Sequence, residues 1–283
     1  MNHTAYQAIW KKDIHPNAPR QNPFPEFEFL SKLTLLGSYC HGANIATSAQ
    51  TCRLKDFEQV VRDESNEHVE RARAECSSIK PGRPCKFFSQ QAEDATLFNM
   101  FFNRIERGTY LEFGAVDGVL YSNTLFLEQN LGWSGVLLEA SPTSFQGLQK
   151  NRAQNNHLFN LAICNSPGTK MFRGTNAEGG IEEFFPGKCR QASNTKYLVK
   201  CDTLKNVLRT ANVTSIDFWS LDVEGGELDV LDSMDWSIPV CVLLVERNAN
   251  DIAIELLLVG KGFLYVRQLR GTLFGLVSVK FWN

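Results

Sequence analysis

No apolar run in this 283-residue chain reaches the roughly 18–20 residues that a bilayer-spanning helix needs. An excess of either charge is also missing, with 29 Lys+Arg against 31 Asp+Glu and a net charge of −2. Residues 1–88 carry 12 basic and 10 acidic side chains, and the remainder carries 17 and 21. Neither part is a basic module, so no nucleic-acid partner is expected. No two cysteines stand at a Cys-x-x-Cys spacing and no histidine joins them at a finger spacing, which argues against structural zinc. Residues 1–20 are polar and contain Pro, His and Asp, so they do not read as a signal peptide. The expectation is a soluble chain with no membrane span, in the cytoplasm or a secretory lumen.

The composition is otherwise that of a folding protein, with 43% hydrophobic residues. Eight cysteines fall into two sets: Cys40, Cys52, Cys76 and Cys85 early, and Cys164, Cys189, Cys201 and Cys241 scattered later. The early four fit either two disulfides in a secretory protein or reduced thiols in a cytosolic one. Two Asn-x-Ser/Thr triplets occur, at Asn2 and Asn212, as chance alone predicts at this length. Residues 1–88 read as an extension, Pro-rich at first and then a charged, solvated helix over 54–77. Residues 79–84, with Pro81-Gly82 and Pro84, form a turn.

From residue 89 the pattern changes. A helix is predicted over 89–105, with Ser89 as its cap and Leu97, Phe98, Phe101 and Phe102 as its buried stripe. Strands are predicted over 110–113, 135–139, 158–163, 216–221 and 240–245, with helices over 122–130, 142–153, 204–210, 224–231 and 249–259. Two last strands, 263–268 and 273–281, flank Arg270-Gly271 and read as a hairpin. Alternating strand and helix gives a doubly wound, Rossmann-like α/β domain over 89–283, with a mainly parallel seven-stranded sheet ending in an antiparallel hairpin.

In such sheets ligands bind beyond the carboxyl ends of the strands. There this sequence places Glu112-Phe113-Gly114-Ala115-Val116-Asp117-Gly118, Glu139-Ala140-Ser141, Asp222-Val223-Glu224-Gly225-Gly226 and Glu246. A phosphate loop is excluded because no Gly-Lys-Ser/Thr follows the turn. A pyrophosphate would meet Glu112 and Asp117, and Val116 occupies the place of the middle glycine of a dinucleotide fingerprint. S-adenosylmethionine (SAM), which carries a sulfonium and an amino group but no phosphate, suits these acids better. Glu139 lies 21 residues beyond Gly118, close to the ~20 expected between a glycine turn and the acid that holds a ribose.

The segments 89–94, 110–118, 121–124, 132–135, 138–142 and 216–227 together resemble the FkbM family of SAM-dependent methyltransferases, in one order from about residue 86 to 268. Ser122-Asn123-Thr124 and Gly132-Trp133-Ser134-Gly135 are most similar to the animal Star-like branch, whose members act in secretory trafficking of a client protein. The resemblance implies that Glu112, Gly114 and Gly118 cradle the methionine part of SAM, Glu112 reaching its amino group through water. It implies that Asp117, Ser122, Asn123 and Thr124 line the same turn, and that Glu139 takes the ribose. Ala162, Ile163 and Cys164 would edge the adenine, and Asp222 and Glu224 would lie beside the transferring methyl group.

Only His157 among the five histidines falls in this domain, at the start of a strand and so at the wrong end of the sheet. The base for a hydroxyl acceptor is therefore expected among Asp222, Glu224 and Glu246. Each has a plainer role: Asp222 as a helix cap, Glu224 and Glu227 as partners of a helix dipole, and Glu246 as a surface partner of Arg247. No metal is expected. Trp133, Trp219, Tyr121 and Phe126 are expected in the core, and residues 174–196 form either a lid or a plain surface loop. Two functions follow. One is O-methylation of a small-molecule or glycan-like acceptor; the other is a non-catalytic, Star-like client-binding role.

Overall fold

The computed structural model describes residues 67–79, 81–82, 85–174, 177, 179–184, 195–246, 251–268 and 276–279. Internal contacts divide the chain into Met1–Glu58 and Gln59–Asn283, and the described residues all belong to the second unit. Cys40, Cys52, Cys189, Asn2, Arg247 and the Arg270-Gly271 turn lie outside them.

The central sheet contains β1 (Thr109–Phe113), β2 (Ser134–Leu138), β3 (His157–Phe159), β8 (Ile216–Leu221), β9 (Val240–Val245), β10 (Leu264–Gln268) and β11 (Leu276–Val279). Their order across it is β10-β11-β9-β8-β1-β2-β3. The run from β9 to β3 is parallel, while β11 is antiparallel to both β9 and β10. This is the doubly wound, mainly parallel sheet with a terminal antiparallel hairpin that the alternation predicts. The chain leaves β1 toward β2 on one side and returns to β8 on the other, which places a switch point between β1 and β8.

Continuous apolar runs make strands that are buried on both faces, and all six residues of β8 are buried. Leu111 and Phe113 share one cluster with α5 (Leu204–Thr210), α6 (Glu227–Asp232) and α7 (Asp251–Gly260). Phe218 meets Phe102, whose ring lies 5.0 Å from that of Trp133. Trp133, Trp219 and Phe126 are core residues as expected, but Tyr121 is 43% exposed with φ 58°. It lies in the turn leading to α3 (Leu125–Leu131) and lines a cavity rather than the core.

Helix ends show where periodicity alone misleads. The 89–105 segment is not one α-helix. It opens at Glu93, runs as α2 to Leu97 and continues as a π-helix over Phe98–Phe102, with the expected aromatic stripe buried. Ser89 still serves the helix start, its hydroxyl accepting from the Asp94 N–H at 2.9 Å. Upstream, α1 (Glu67–Ile79) is joined to the strap before α2 by the Cys76–Cys85 disulfide. Ser141 caps α4 (Pro142–Asn151) by accepting from Ser144 N–H.

The predicted 158–163 strand divides in two. Asn160 donates to the carbonyls of Glu139 and Ala140, at 2.8 and 3.2 Å, and diverts the chain out of the main sheet. Beyond it, β4 (Ala162–Ile163), β5 (Gly168–Arg173), β6 (Gly180–Ile181) and β7 (Lys196–Asp202) make a second sheet, ordered β4-β7-β5-β6. A Cys164–Cys201 disulfide links the end of β4 to β7. Tyr197, Val199 and Cys201 turn inward while Lys196, Leu198 and Lys200 are exposed, a two-residue alternation that the sequence reading passed over.

Gly135 in β2 faces Tyr110 of β1, and a Cβ there would lie 1.8 Å from the Tyr110 carbonyl oxygen. Gly135→Ala should therefore cost about 3 kcal/mol of stability, read as a lowered urea midpoint at unchanged m-value.

Candidate active site

A cavity of about 720 Å³ opens at the carboxyl ends of β1, β2 and β8, within the ~300–1,000 Å³ range of small-molecule sites. Its lining includes Glu112, Gly114, Asn123, Glu139, Ala162, Ile163, Asp222, Glu224 and Glu246, all named from the sequence. Asp117, Gly118, Ser122, Thr124 and Cys164 stand behind the wall rather than in it. The wall also holds Glu93, which lies in the 89–94 motif without a role assigned to it, and Phe172, Ile181 and Phe184. Part of the 174–196 segment, residues 177, 179–181 and 184, thus faces the cavity.

Glu112 ends β1 buried, and neighbouring groups occupy both its oxygens. It accepts from Asn123 N–H at 2.7 Å, the Thr124 hydroxyl at 2.7 Å, the Ser122 hydroxyl at 3.1 Å and Arg152 Nη1 at 3.2 Å. Arg152, at the end of α4, has a fully buried side chain. It also donates to Glu128, to the Gly118 carbonyl, to the Tyr110 hydroxyl and to Thr124. The guanidinium thereby joins both ends of β1, the glycine turn, the start of α3 and the end of α4. Gly118 must be glycine for this, since a Cβ there would stand 2.7 Å from Arg152 Cγ. Arg152 was missed because a lone arginine near a helix end carries no motif.

Glu139 is 5% exposed, yet each oxygen takes a backbone donor: Val116 N–H at 2.8 Å and Ser141 N–H at 2.7 Å. Burial raises its carboxyl to about 7 despite these two bonds, which act to lower it. Val116 adopts φ 48°, an unusual state for a β-branched residue, and this turns its N–H onto Glu139. Lone pairs remain on both Glu139 oxygens for a diol.

Beyond β8 the chain bends through Glu224 (φ 56°) and Gly225 (φ 105°) before α6 begins at Glu227. Asp222 is therefore not a helix cap, since Gly226 holds that position without a side-chain bond. Nor does Glu224 lie in the first turn. Glu227 is the structural acid: fully buried, it accepts from the N–H groups of Val223 and Gly225. Gly114 is in the left-handed region at φ 66°, and a Cβ on it would meet the Asp222 carbonyl at 2.2 Å. The backbones beyond β1 and β8 touch there, and this contact forms the floor of the cavity.

Asp222, Glu224 and Glu246 converge, offering one oxygen each within 4.8 Å of one another. Burial and then the charges of Asp222, Glu224 and Glu227 push the Glu246 carboxyl far up. Burial raises Asp222 as well, and the two share a hydrogen bond. One proton shared by the pair would relieve this crowding, and the three convergent oxygens are also spaced to hold a metal ion.

Six acidic side chains line the cavity: Glu93, Glu112, Glu139, Asp222, Glu224 and Glu246. No Lys, Arg or His does so among the described residues. That donor set repels phosphate and suits a cofactor that is cationic and carries a diol, so the residues present fit SAM.

A doubly wound α/β domain with an acidic cavity at its switch point fits the methyltransferase class. The Methyltransferase FkbM domain matches residues 112–265, more than half of the chain, and the protein belongs to that family. Solved structures with similar folds include a human methyltransferase 10 domain containing protein, 12% identical over 78% of this chain and 100% of its own (TM-score 0.42). M. capricolum TrmK, in complex with S-adenosyl-homocysteine, is 10% identical over 64% and 66% (TM-score 0.36). A SAM dependent methyltransferase from Aquifex aeolicus is 11% identical over 79% and 98% (TM-score 0.34). No curated protein sequence matches the chain.

Removing Arg152 would leave Glu112 charged and buried. Arg152→Met should therefore cost about 3–5 kcal/mol in chemical denaturation. Adding Glu112→Gln to it should cost less than the two single changes summed, because the orphaned charge goes too.

Proposed function

We propose that this protein is a SAM-dependent O-methyltransferase whose acceptor is a small-molecule or glycan-like hydroxyl. The observation that carries this reading is the acidic cavity over the switch point, with Glu139 at the end of β2 and the Asp222–Glu246 pair across from it. When bound, SAM supplies an electrophilic methyl group. The chain's own residues do the rest. Glu139 accepts from the two ribose hydroxyls, and the Gly114 backbone, free of a Cβ, allows close approach of the methionine part. Glu112 holds the Ser122-Asn123-Thr124 turn in place through the bonds already described, so it acts as a positioning residue.

Transfer to a hydroxyl requires an acceptor oxygen in line with the methyl group and a base for its proton. Asp222 is that base in our reading. Burial raises its proton affinity above that of an ordinary carboxylate, bringing it nearer to neutral-pH operation. Glu246 keeps its proton and orients Asp222, while Glu224 beside them binds acceptor hydroxyls. Phe184, packed over Gly225 and Gly226, covers the site from the second sheet and excludes water.

An oxidising lumen is the compartment we propose, because two disulfides, Cys76–Cys85 and Cys164–Cys201, are built into the domain and Cys241 is disulfide-bonded too. The same disulfides favour the second reading, a non-catalytic client-binding protein of the secretory pathway. Cofactor binding separates the two. SAM should bind with a micromolar-range dissociation constant and Gly114→Arg should abolish it; absence of binding to the unaltered chain would sink the catalytic reading. Asp222→Asn should lower turnover at least ~100-fold with cofactor affinity changed less than threefold, since it removes a proton acceptor and not a cofactor contact.

A pH dependence follows from Glu139. Its carboxyl must be ionised to accept from both ribose hydroxyls, and burial holds its pKa near 7. Affinity for SAM should therefore rise between about pH 6 and 8 as that proton leaves. Glu139→Gln should bind more weakly and flatten the profile, as calorimetric titration across that range would read.

A further inference from the structure

We propose that Asn212 carries an N-linked glycan on the end of the domain away from the cavity. The proposal rests on the oxidising compartment suggested above and is independent of the catalytic reading.

Asn212-Val213-Thr214 has the acceptor amide, a non-proline residue and a hydroxyl at the spacing that oligosaccharide transfer recognises. From the sequence alone this is a triplet expected by chance. The fold adds three observations. Asn212 is the left-handed residue that ends α5, at φ 52°. Its N–H donates to the Arg209 carbonyl at 3.2 Å, and the Val213 N–H donates to Leu208 at 3.0 Å, the paired bonds of a Schellman cap. Such a cap accounts for Asn or Gly at this position but asks nothing of residue 214. Val213 packs against the core while Asn212 and Thr214 are both exposed, so the backbone is anchored and the acceptor and its hydroxyl face solvent.

The turn also precedes β8, whose other end leads to Asp222. Six strand residues span roughly 20 Å, so a glycan at Asn212 sits at the amino ends of the parallel strands and leaves the cavity clear. No residue from 211 to 215 lines the cavity. The disulfides Cys76–Cys85 and Cys164–Cys201 supply the third observation, since the compartment that forms them is the one in which such transfer takes place.

In that transfer the Asn212 side-chain nitrogen forms a bond to the anomeric carbon of a polyprenyl-pyrophosphate-linked oligosaccharide. The bond from that carbon to the pyrophosphate oxygen breaks, polyprenyl pyrophosphate leaves, and the amide proton passes to a base of the transferase. Nothing is oxidised or reduced.

The test is site-resolved peptide mass spectrometry on the full chain directed to the secretory pathway of a eukaryotic cell, before and after an amidase that removes N-glycans. In most molecules the peptide bearing Asn212 should carry hexosamine-containing mass. Amidase treatment should remove that mass and leave aspartate in place of the asparagine. Thr214→Ala should reduce occupancy to background and Thr214→Ser should retain it. These variants leave the left-handed asparagine untouched, so strain at the helix end does not confuse the result. A bare Asn212 in protein whose Cys164–Cys201 bond has formed would overturn the proposal. A bare Asn212 with every cysteine open to alkylation would overturn it together with the compartment, whatever the SAM titration shows. An occupied Asn212 in protein that fails to bind SAM upholds the proposal and removes the catalytic reading alone.

Discussion

The buried pair of Arg152 and Glu112 is the interaction on which the cofactor end of this domain is built. Taking a guanidinium and a carboxylate out of water costs several kcal/mol each, and their attraction offsets this only when the remaining donors and acceptors are also met. Here they are met. Glu112 accepts from Ser122, Asn123, Thr124 and Arg152, and Arg152 reaches Glu128, Tyr110, Thr124 and the Gly118 carbonyl. A network satisfied in this way has one low-energy geometry, and that geometry sets the path of the glycine turn. It also changes what Glu112 is for. A carboxylate with four partners inside the protein fastens the turn, while Glu112 also lines the cavity.

Electrostatics then select the ligand class. A wall of six acidic side chains with no described cation among them disfavours phosphate and favours a sulfonium, which agrees with membership of the FkbM family. The same crowding sets protonation. Burial and the neighbouring Asp222, Glu224 and Glu227 raise the Glu246 carboxyl, and it shares a hydrogen bond with Asp222. Two carboxyl groups of ordinary affinity in water thus become a donor and an acceptor by proximity and burial.

The main sheet was legible because its strands are short apolar runs between helical periods, and each of the seven is found within a few residues of its expected place. Strand-end residues such as Glu139 and Asp222 were legible for the same reason, since topology puts them over the switch point. The second sheet was not read, because β5 and β7 are half-polar, and an apolar Leu198 at an exposed position of β7 masks the polar–apolar alternation in the sequence. The division of residues 158–163 was equally hidden: it depends on Asn160 reaching carbonyls about twenty residues earlier. Helix starts slipped where a left-handed residue intervenes, at Ala92 before α2 and at Glu224 before α6, since periodicity carries no record of backbone handedness.

Local order along the chain was enough to decide the α/β class, the succession of its strands, the acidic ends and the family. These are properties of hydrophobic period and of short motifs, which a linear sequence states directly. Which acids face the cavity and which serve as fastenings was decided by the folded arrangement, as was the pairing of Cys164 with Cys201. Arg152 shows why. Its partners lie 24 to 42 residues away, and no one-dimensional pattern records that a side chain at the end of one helix will neutralise a carboxylate at the end of a strand. Burial and charge act through space, so their outcome appears only when those residues are brought together.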